Sequence, residues 1–300
     1  MEFGKIPVQE LEATDLHLRP EPASNASILH KGKGHTKFYI GCAKWGRKDW
    51  IGKLYPPGTK EKDFLRYYAR QFNSIEFNGF YYKLYPPEQV LKWVEQVPKD
   101  FLFCPKFTES ITHRQRLKGT EQEVTAFLEA ITAFGHHLGP IFLMPHPGMG
   151  KKQFPVIADF INALPTDVKV FLELRHEDWY KDPDGYDKDL LFYLMQHKRG
   201  TVITDVAGRR DIVHMHLTTT ECFIRFVGNA LHPTDYTRID EWVARIGLWM
   251  KQGLDTCYFF MHQHDELHSP ELIKYFIEQM NRHNGTDIPL PVLYTQPGLF

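Results

Sequence analysis

The sequence predicts an α/β protein, a single (β/α)8 TIM-barrel-like domain with an N-terminal extension. Three observations predict it. From Phe38 onward, short β-branched or aromatic runs alternate with longer stretches of helical period. The alternation fills close to the ~250 residues that such a barrel occupies. No G-x-G-x-x-G follows the first run, as a doubly wound dinucleotide-binding sheet would require.

Residues 1–36 are polar, proline-containing and aperiodic, end in "KGKGH", and are expected to form an arm lying on a body of residues 37–300. Strands are expected at "FYIGCA" (38–43), "SIEFNG" (74–79), "FLFCPKF" (101–107) and "PIFLMP" (140–145). Four more are expected at "KVFLEL" (169–174), "TVITD" (201–205), "CFIRFVG" (222–228) and "TCYFFMH" (256–262). Between them, apolar residues recur at helical spacing near 61–72, 87–96, 121–134, 151–163, 186–198, 235–252 and 269–282. The interval 207–221, with "HMHLTTT", has no such period and reads as irregular.

The 300 residues are 42% hydrophobic and 24% charged, which suits a globular chain with a sizeable core. A formal net charge of -1 gives no global basic field for nucleic acid, leaving only a local patch as a means of holding it. No apolar run approaches a membrane span, and the N-terminus lacks the basic start and apolar stretch of a signal peptide. No membrane partner and a cytoplasmic location are therefore expected. Cys42, Cys104, Cys222 and Cys257 are widely spaced within apolar runs, the pattern of buried free thiols.

Chemistry is expected where strands end, because barrel enzymes build their sites there. The strand ends carry Trp45, Glu76 with Asn78, Lys106, Glu173 with Arg175, Asp205, Arg225 and His262. Glu76 and Asn78 are two residues apart, as are Glu173 and Arg175, so each pair points to one face of its strand. Structural ion pairs closing the barrel are the competing explanation of the same charges.

Five segments carry a resemblance. They are "IGCAKWGRKDWIGKLYP", "FNSIEFNGFYYKLYPPEQVLKW", "FLFCPKFTESITHRQRL", "FLELRHEDWY" and "FIRFVGN". In this order they resemble the YecE-like proteins, the domain of unknown function 72, over about residues 38–280. The resemblance implies a TIM-barrel-like fold and no assigned reaction. Its polar positions match Trp45, Asp49, Trp50, Glu76, Asn78, Lys106, His113, Glu173, Arg175, His176, Trp179, Asp205 and Arg225. The chain departs from the family pattern at Cys42–Ala43, where a small hydroxyl pair is usual, and at "MHQHDELHSPE" after strand eight.

These residues define an expected chemistry. Glu76, Glu173, Asp205 and His176 are the candidate acid–base groups. Trp45, Asn78, Lys106, His113, Arg175, Trp179, Arg225 and His262 are the candidate substrate contacts. The expected ligand is a small anion, phosphate- or carboxylate-bearing and open to a nucleic-acid origin. The alternatives are a glycosidase-like carbohydrate enzyme and a non-catalytic binding barrel. No cofactor is implied. The carboxylates allow a divalent metal, but His214-x-His216 and His262-x-His264 are too short and common to specify one. H-E-x-x-H, G-x-S-x-G and the phosphate-cradling G-x-x-x-x-G-K-[ST] are all absent.

Overall fold

A computed structural model of the chain describes residues 3–294. The strands are β1 (Lys37–Cys42), β2 (Ser74–Phe77), β3 (Leu102–Pro105), β4 (Ile141–Leu143), β5 (Val170–Leu172), β6 (Gly200–Asp205), β7 (Glu221–Gly228) and β8 (Thr256–Gln263). Each lies within a residue or two of a hydrophobic run picked out above, because those runs are what a buried parallel strand needs on both faces. Six of them pair in parallel in the order β1-β8-β7-β6-β5-β4, while β2 and β3 pair in parallel as a separate two-stranded sheet.

The expected continuous eight-stranded wall is therefore corrected. The fold is mixed α/β, a curled six-stranded parallel half-barrel with a two-stranded companion. The seam between β3 and β4 holds only isolated bridges, Phe103 to Leu138 and Lys106 to Phe142. At the seam between β1 and β2, side chains replace the ladder. Asn73 accepts from Ile40 N (2.8 Å) and donates to Phe38 O (2.7 Å). The Tyr68 hydroxyl accepts from Cys42 N (2.7 Å) and donates to Ser74 O (2.9 Å). Backbone groups buried there are thus satisfied without strand pairing.

The helices are α1 (Val8–Leu11), α2 (Ala23–Leu29), α3 (Phe64–Tyr68), α4 (Gly79–Tyr82), α5 (Pro87–Val94), α6 (Glu121–Thr132), α7 (Phe154–Ala163), α8 (Lys188–Gln196), α9 (Pro233–Gln252) and α10 (Ser269–Asn284). Local chemistry sets their ends. Asp187 caps α8 by accepting from Leu190 N, and Gly253 stops α9 in the left-handed region at φ 114°. Ile239, Trp242, Val243, Ile246 and Trp249 recur at three- and four-residue steps and bury one face of α9. The 207–221 interval holds one short 3-10 turn, Arg210–Ile212.

The arm folds onto the body. The Asn25 side chain donates to Met215 O and accepts from Leu217 N, both at 2.9 Å. Glu21 meets Arg245 and the Trp249 indole, and Gly208 N donates to Gly4 O. All four cysteines are free and buried.

Candidate functional site

Strand alternation places the site. A buried inner cluster contains Cys104, Phe142, Met144, Phe171, Val202, Phe223, Tyr258 and Phe260. Moving two residues toward the C-terminus from Cys104, Phe171, Val202, Phe223 and Phe260 reaches Lys106, Glu173, Thr204, Arg225 and His262. Glu76 stands in the same relation to Ser74 on β2. A layer of apolar side chains is thus capped by a layer of polar ones.

Arg225 is the hub of that polar layer. Its Nε and Nη2 donate to the two oxygens of Glu76 (2.7 and 3.2 Å), and its Nη1 donates to Glu173 Oε2 (2.7 Å). Glu76 also accepts from His262 Nε2 (2.9 Å) and Asn78 Nδ2 (3.0 Å). Glu173 also accepts from the Thr204 hydroxyl (2.6 Å) and from Arg175 Nε (2.5 Å). Burial raises the carboxyl pKa at Glu173, but Arg175, Arg225 and Thr204 outweigh it and hold the group at about 2. At Glu76 burial is likewise overcome, by Arg225 and His262, and its pKa lies well below the carboxylate range. Both carboxylates are therefore ionised and occupied.

Above this layer opens a cavity of about 770 Å³, lined among others by Trp45, Asn78, Lys106, His113, Arg175, Arg225 and His262. Seven of the expected substrate contacts are thus brought to one surface. Trp45 reaches it stacked on Phe77, with ring centroids 5.1 Å apart. Lys106 is only 7% exposed and forms no ion pair among the described residues. Its Nζ lies 3.8 Å from Met144 Sδ and 4.3 Å from the centroid of the Tyr81 ring. Burial, followed by the Arg225 charge, pushes its pKa down to about 7 against the pull of Glu76 and Glu173. His113 is lowered to about 4 by burial and then by Lys106, His146 and Arg175. Its Nδ1 is 2.8 Å from the Thr112 hydroxyl, which donates to Thr108 O at 2.9 Å. With that single hydroxyl proton used, Nδ1 carries the imidazole hydrogen and Nε2 keeps a lone pair.

Three expected site residues lie elsewhere. Asp205 follows the inward Thr204 by one residue, so it points outward. There it accepts from Arg238 Nη2 and Trp242 Nε1 at 2.7 Å and pairs with Arg210. These partners override the effect of burial and hold it at about 2. It anchors α9 to β6 and does not line the cavity. Trp179 is buried and donates to Met149 O at 2.8 Å, a packing role. His176 caps a 3-10 turn through Asp178 N and lines a neighbouring groove with Pro147, Arg209 and Asp211. The reasons differ: Asp205 has the wrong parity for the interior, whereas His176 and Trp179 lie past the end of β5, in and beside a 3-10 turn where strand alternation no longer applies.

Reading by residue type also missed contributors. Thr204 was passed over for its acidic neighbour, although its two-residue step from Val202 would have found it. Arg47, just before one 3-10 turn, and Glu266, at the start of another, line the cavity from positions that no period announces. Phe3 comes from the arm and lies over Arg175, 3.8 Å from guanidinium carbon to ring centroid. Among the described residues, no group of three or more His, Cys, Asp or Glu is placed to hold a metal ion. His214 and His216 are instead tied to Val202 O and Asp184 O. Among the same residues, no helix is long and apolar enough to cross a membrane.

The family model described as "Protein of unknown function DUF72" matches residues 39–293. The chain belongs to the DUF72 family. YecE of Escherichia coli, a UPF0759 protein, is 27% identical over 282 residues, covering 87% of this chain and 99% of YecE. YunF of Bacillus subtilis, also a UPF0759 protein, is 27% identical over 161 residues, covering 51% and 56%. Two DUF72 crystal structures share the fold. One, from Enterococcus faecalis, has a TM-score of 0.66 at 18% identity and covers 88% of this chain and 100% of its own. The other, from Thermotoga maritima, has a TM-score of 0.58 at 20% identity and covers 75% and 92%. Both segments expected to depart from the family pattern line the cavity, through Ala43 on one side and His262, His264 and Glu266 on the other.

Proposed function

We propose that the protein is an enzyme that takes a small anionic substrate into this cavity, the mouth of a (β/α)8-type barrel, and works on it by acid–base chemistry. One observation carries the reading. Within the polar layer Arg225, Arg175 and Lys106 share two carboxylates, Glu76 and Glu173, while the third carboxylate on the cavity, Glu266, lies beside His262, so that layer has one cation too many. An unbalanced buried charge costs several kcal/mol. It is relieved either by loss of the Lys106 proton or by a bound phosphate or carboxylate. Arg175 commits its Nε to Glu173, and its two Nη groups have no hydrogen-bond partner among the described residues. They are the donors free to hold an anion in bidentate fashion.

The acid–base roles move with this geometry. Glu76 and Glu173 serve as fixed counter-charges, while Lys106 and neutral His113 titrate near or below neutrality and face the cavity. A glycosidase needs one carboxyl held protonated, and neither Glu76 nor Glu173 can be that group, since both are held ionised. The test is thermal unfolding at matched ionic strength. Phosphate or sulfate should raise the melting temperature above the chloride value, and Arg175→Ala should abolish the gain. Lys31→Ala, in the arm, should keep it. Equal melting in all three salts would refute the anionic-substrate reading.

A further inference from the structure

We propose that Lys106 is a nucleophile that forms a covalent imine with a carbonyl carbon of the substrate. This deepens the anionic-substrate reading and rests on it only for the substrate's charge. The geometry is that of an isolated amine on a cavity wall. Lys106 is buried without an ion pair, its Nζ is set between the Tyr81 ring face and the Met144 thioether, and it opens on the cavity lined by Arg175 and His113. A structural lysine at such depth ordinarily has a carboxylate partner. The nearby carboxylates, Glu76 and Glu173, are taken by Arg225, Arg175, His262, Asn78 and Thr204.

The charged groups around Lys106 come from several elements. Arg225 on β7 and Arg175 after β5 disfavour its ammonium form, and Glu76 on β2 and Glu173 after β5 favour it. Tyr81 in α4 offers its ring face. His262 on β8 lines the same cavity, and so does His113 after β3. Burial decides the balance, so near pH 7 a large share of the amine is free.

The chemistry then balances without an added oxidant or reductant. The Nζ lone pair bonds to the carbonyl carbon as the C=O π pair moves to oxygen. One nitrogen proton passes to that oxygen, and the His113 Nε2 lone pair is the group able to carry it. Protonation of the carbinolamine hydroxyl from solvent breaks the C–O bond and releases water. The nitrogen lone pair closes the C=N bond of an iminium, which keeps a positive charge over the Tyr81 face. That iminium can accept the electron pair of an adjacent C–H or C–C bond, and hydrolysis returns the amine. The substrate class is an anionic aldehyde or ketone, such as a 2-oxo acid or a sugar phosphate.

The experiment uses the whole chain and two probes, each with sodium borohydride to fix any imine: acetaldehyde, which is neutral, and glyoxylate, which is anionic. Peptide mass mapping reads the site. With acetaldehyde at pH 7, Lys106 should be alkylated at least ~10-fold faster than exposed lysines, which are about 0.04% neutral there. Its rate should level off above about pH 8, given a Lys106 pKa near 7, while the exposed lysines continue to rise. Lys106→Arg should remove that fast site, and its folding is checked by an unchanged circular dichroism spectrum. Should Lys106→Arg fail to fold, the pH profile of labelling in the native chain decides alone. Glyoxylate should label Lys106 faster still, and Arg175→Ala should cancel only that added advantage. Fast acetaldehyde labelling with no gain from glyoxylate would uphold the nucleophile and remove the anion site. Labelling of Lys106 by acetaldehyde no faster than the surface average would overturn the proposal, whatever phosphate does to the melting temperature.

Discussion

At the scale of the residue, neighbours decide what each charge does. Asp205 and Glu173 are both buried carboxylates at strand ends, yet one anchors a helix and the other supports a cavity wall. Asp205→Asn should cost roughly 3 kcal/mol, since Arg210 would lose its counter-charge and Arg238 would keep only Asp235, at 3.4 Å. Urea melts should show that loss, with the increment from phosphate unchanged. If the variant kept its stability and lost the phosphate effect, Asp205 would belong to the site after all. The pH dependence has two arms of known sign. Glu173 and Asp205 lie at about 2 when folded, against ordinary values of 4.5 and 3.8. Their contribution is therefore complete above those ordinary values and is lost as pH falls toward 2. Lys106 has the same sign in a higher window, because its folded pKa of about 7 also lies below its ordinary 10.5. Between pH 7 and 10.5 the unfolded chain keeps a proton that the folded one has released, so stability climbs across that window. Lys106→Met should flatten this slope and raise stability at pH 6 by about 1–3 kcal/mol. Melting curves from pH 6 to 10 check it, and a variant as pH-sensitive as the native chain would contradict it.

At the scale of the element, the seam between β1 and β2 is the feature that sequence patterns did not announce. The strands come so close that a Cβ on Gly41 would sit 1.9 Å from Ser74 O, which explains the glycine there. Their backbones are joined by Asn73 and Tyr68 rather than by each other. Tyr68→Phe leaves Cys42 N–H and Ser74 C=O buried without partners and should cost about 1–3 kcal/mol. Hydrogen exchange gives the sharper reading, because the Cys42 amide should lose protection while the β7–β8 amides keep theirs. Uniform loss across all strands would mean that the seam is not a local unit.

At the scale of the whole molecule, the arm is part of the structure that surrounds the site. Phe3 covers Arg175, the body holds Gly4 through Gly208, and Asn25 bridges Met215 O and Leu217 N. Asn25→Ala should lower stability by roughly 2 kcal/mol and open the arm to limited proteolysis, with the first cuts falling before residue 37. First cuts elsewhere would show that the arm is held by other contacts.

The sequence by itself determined the eight strands, most of the helices and the family, because buried strands need continuous apolar runs and surface helices need one apolar face. Reading the strand ends also gathered Trp45, Asn78, Lys106, Arg175, Arg225 and His262, which line one cavity, but it gathered Asp205 with them, and His113 came from the family resemblance. Tertiary structure decided the rest. Which carboxylate is free depends on partners contributed by strands that are distant in sequence, as Arg225 on β7 takes both Glu76 on β2 and Glu173 beside β5. Lys106 stands without a counter-ion for the same reason: an ion pair is a relation in space, and one chain position carries no record of it.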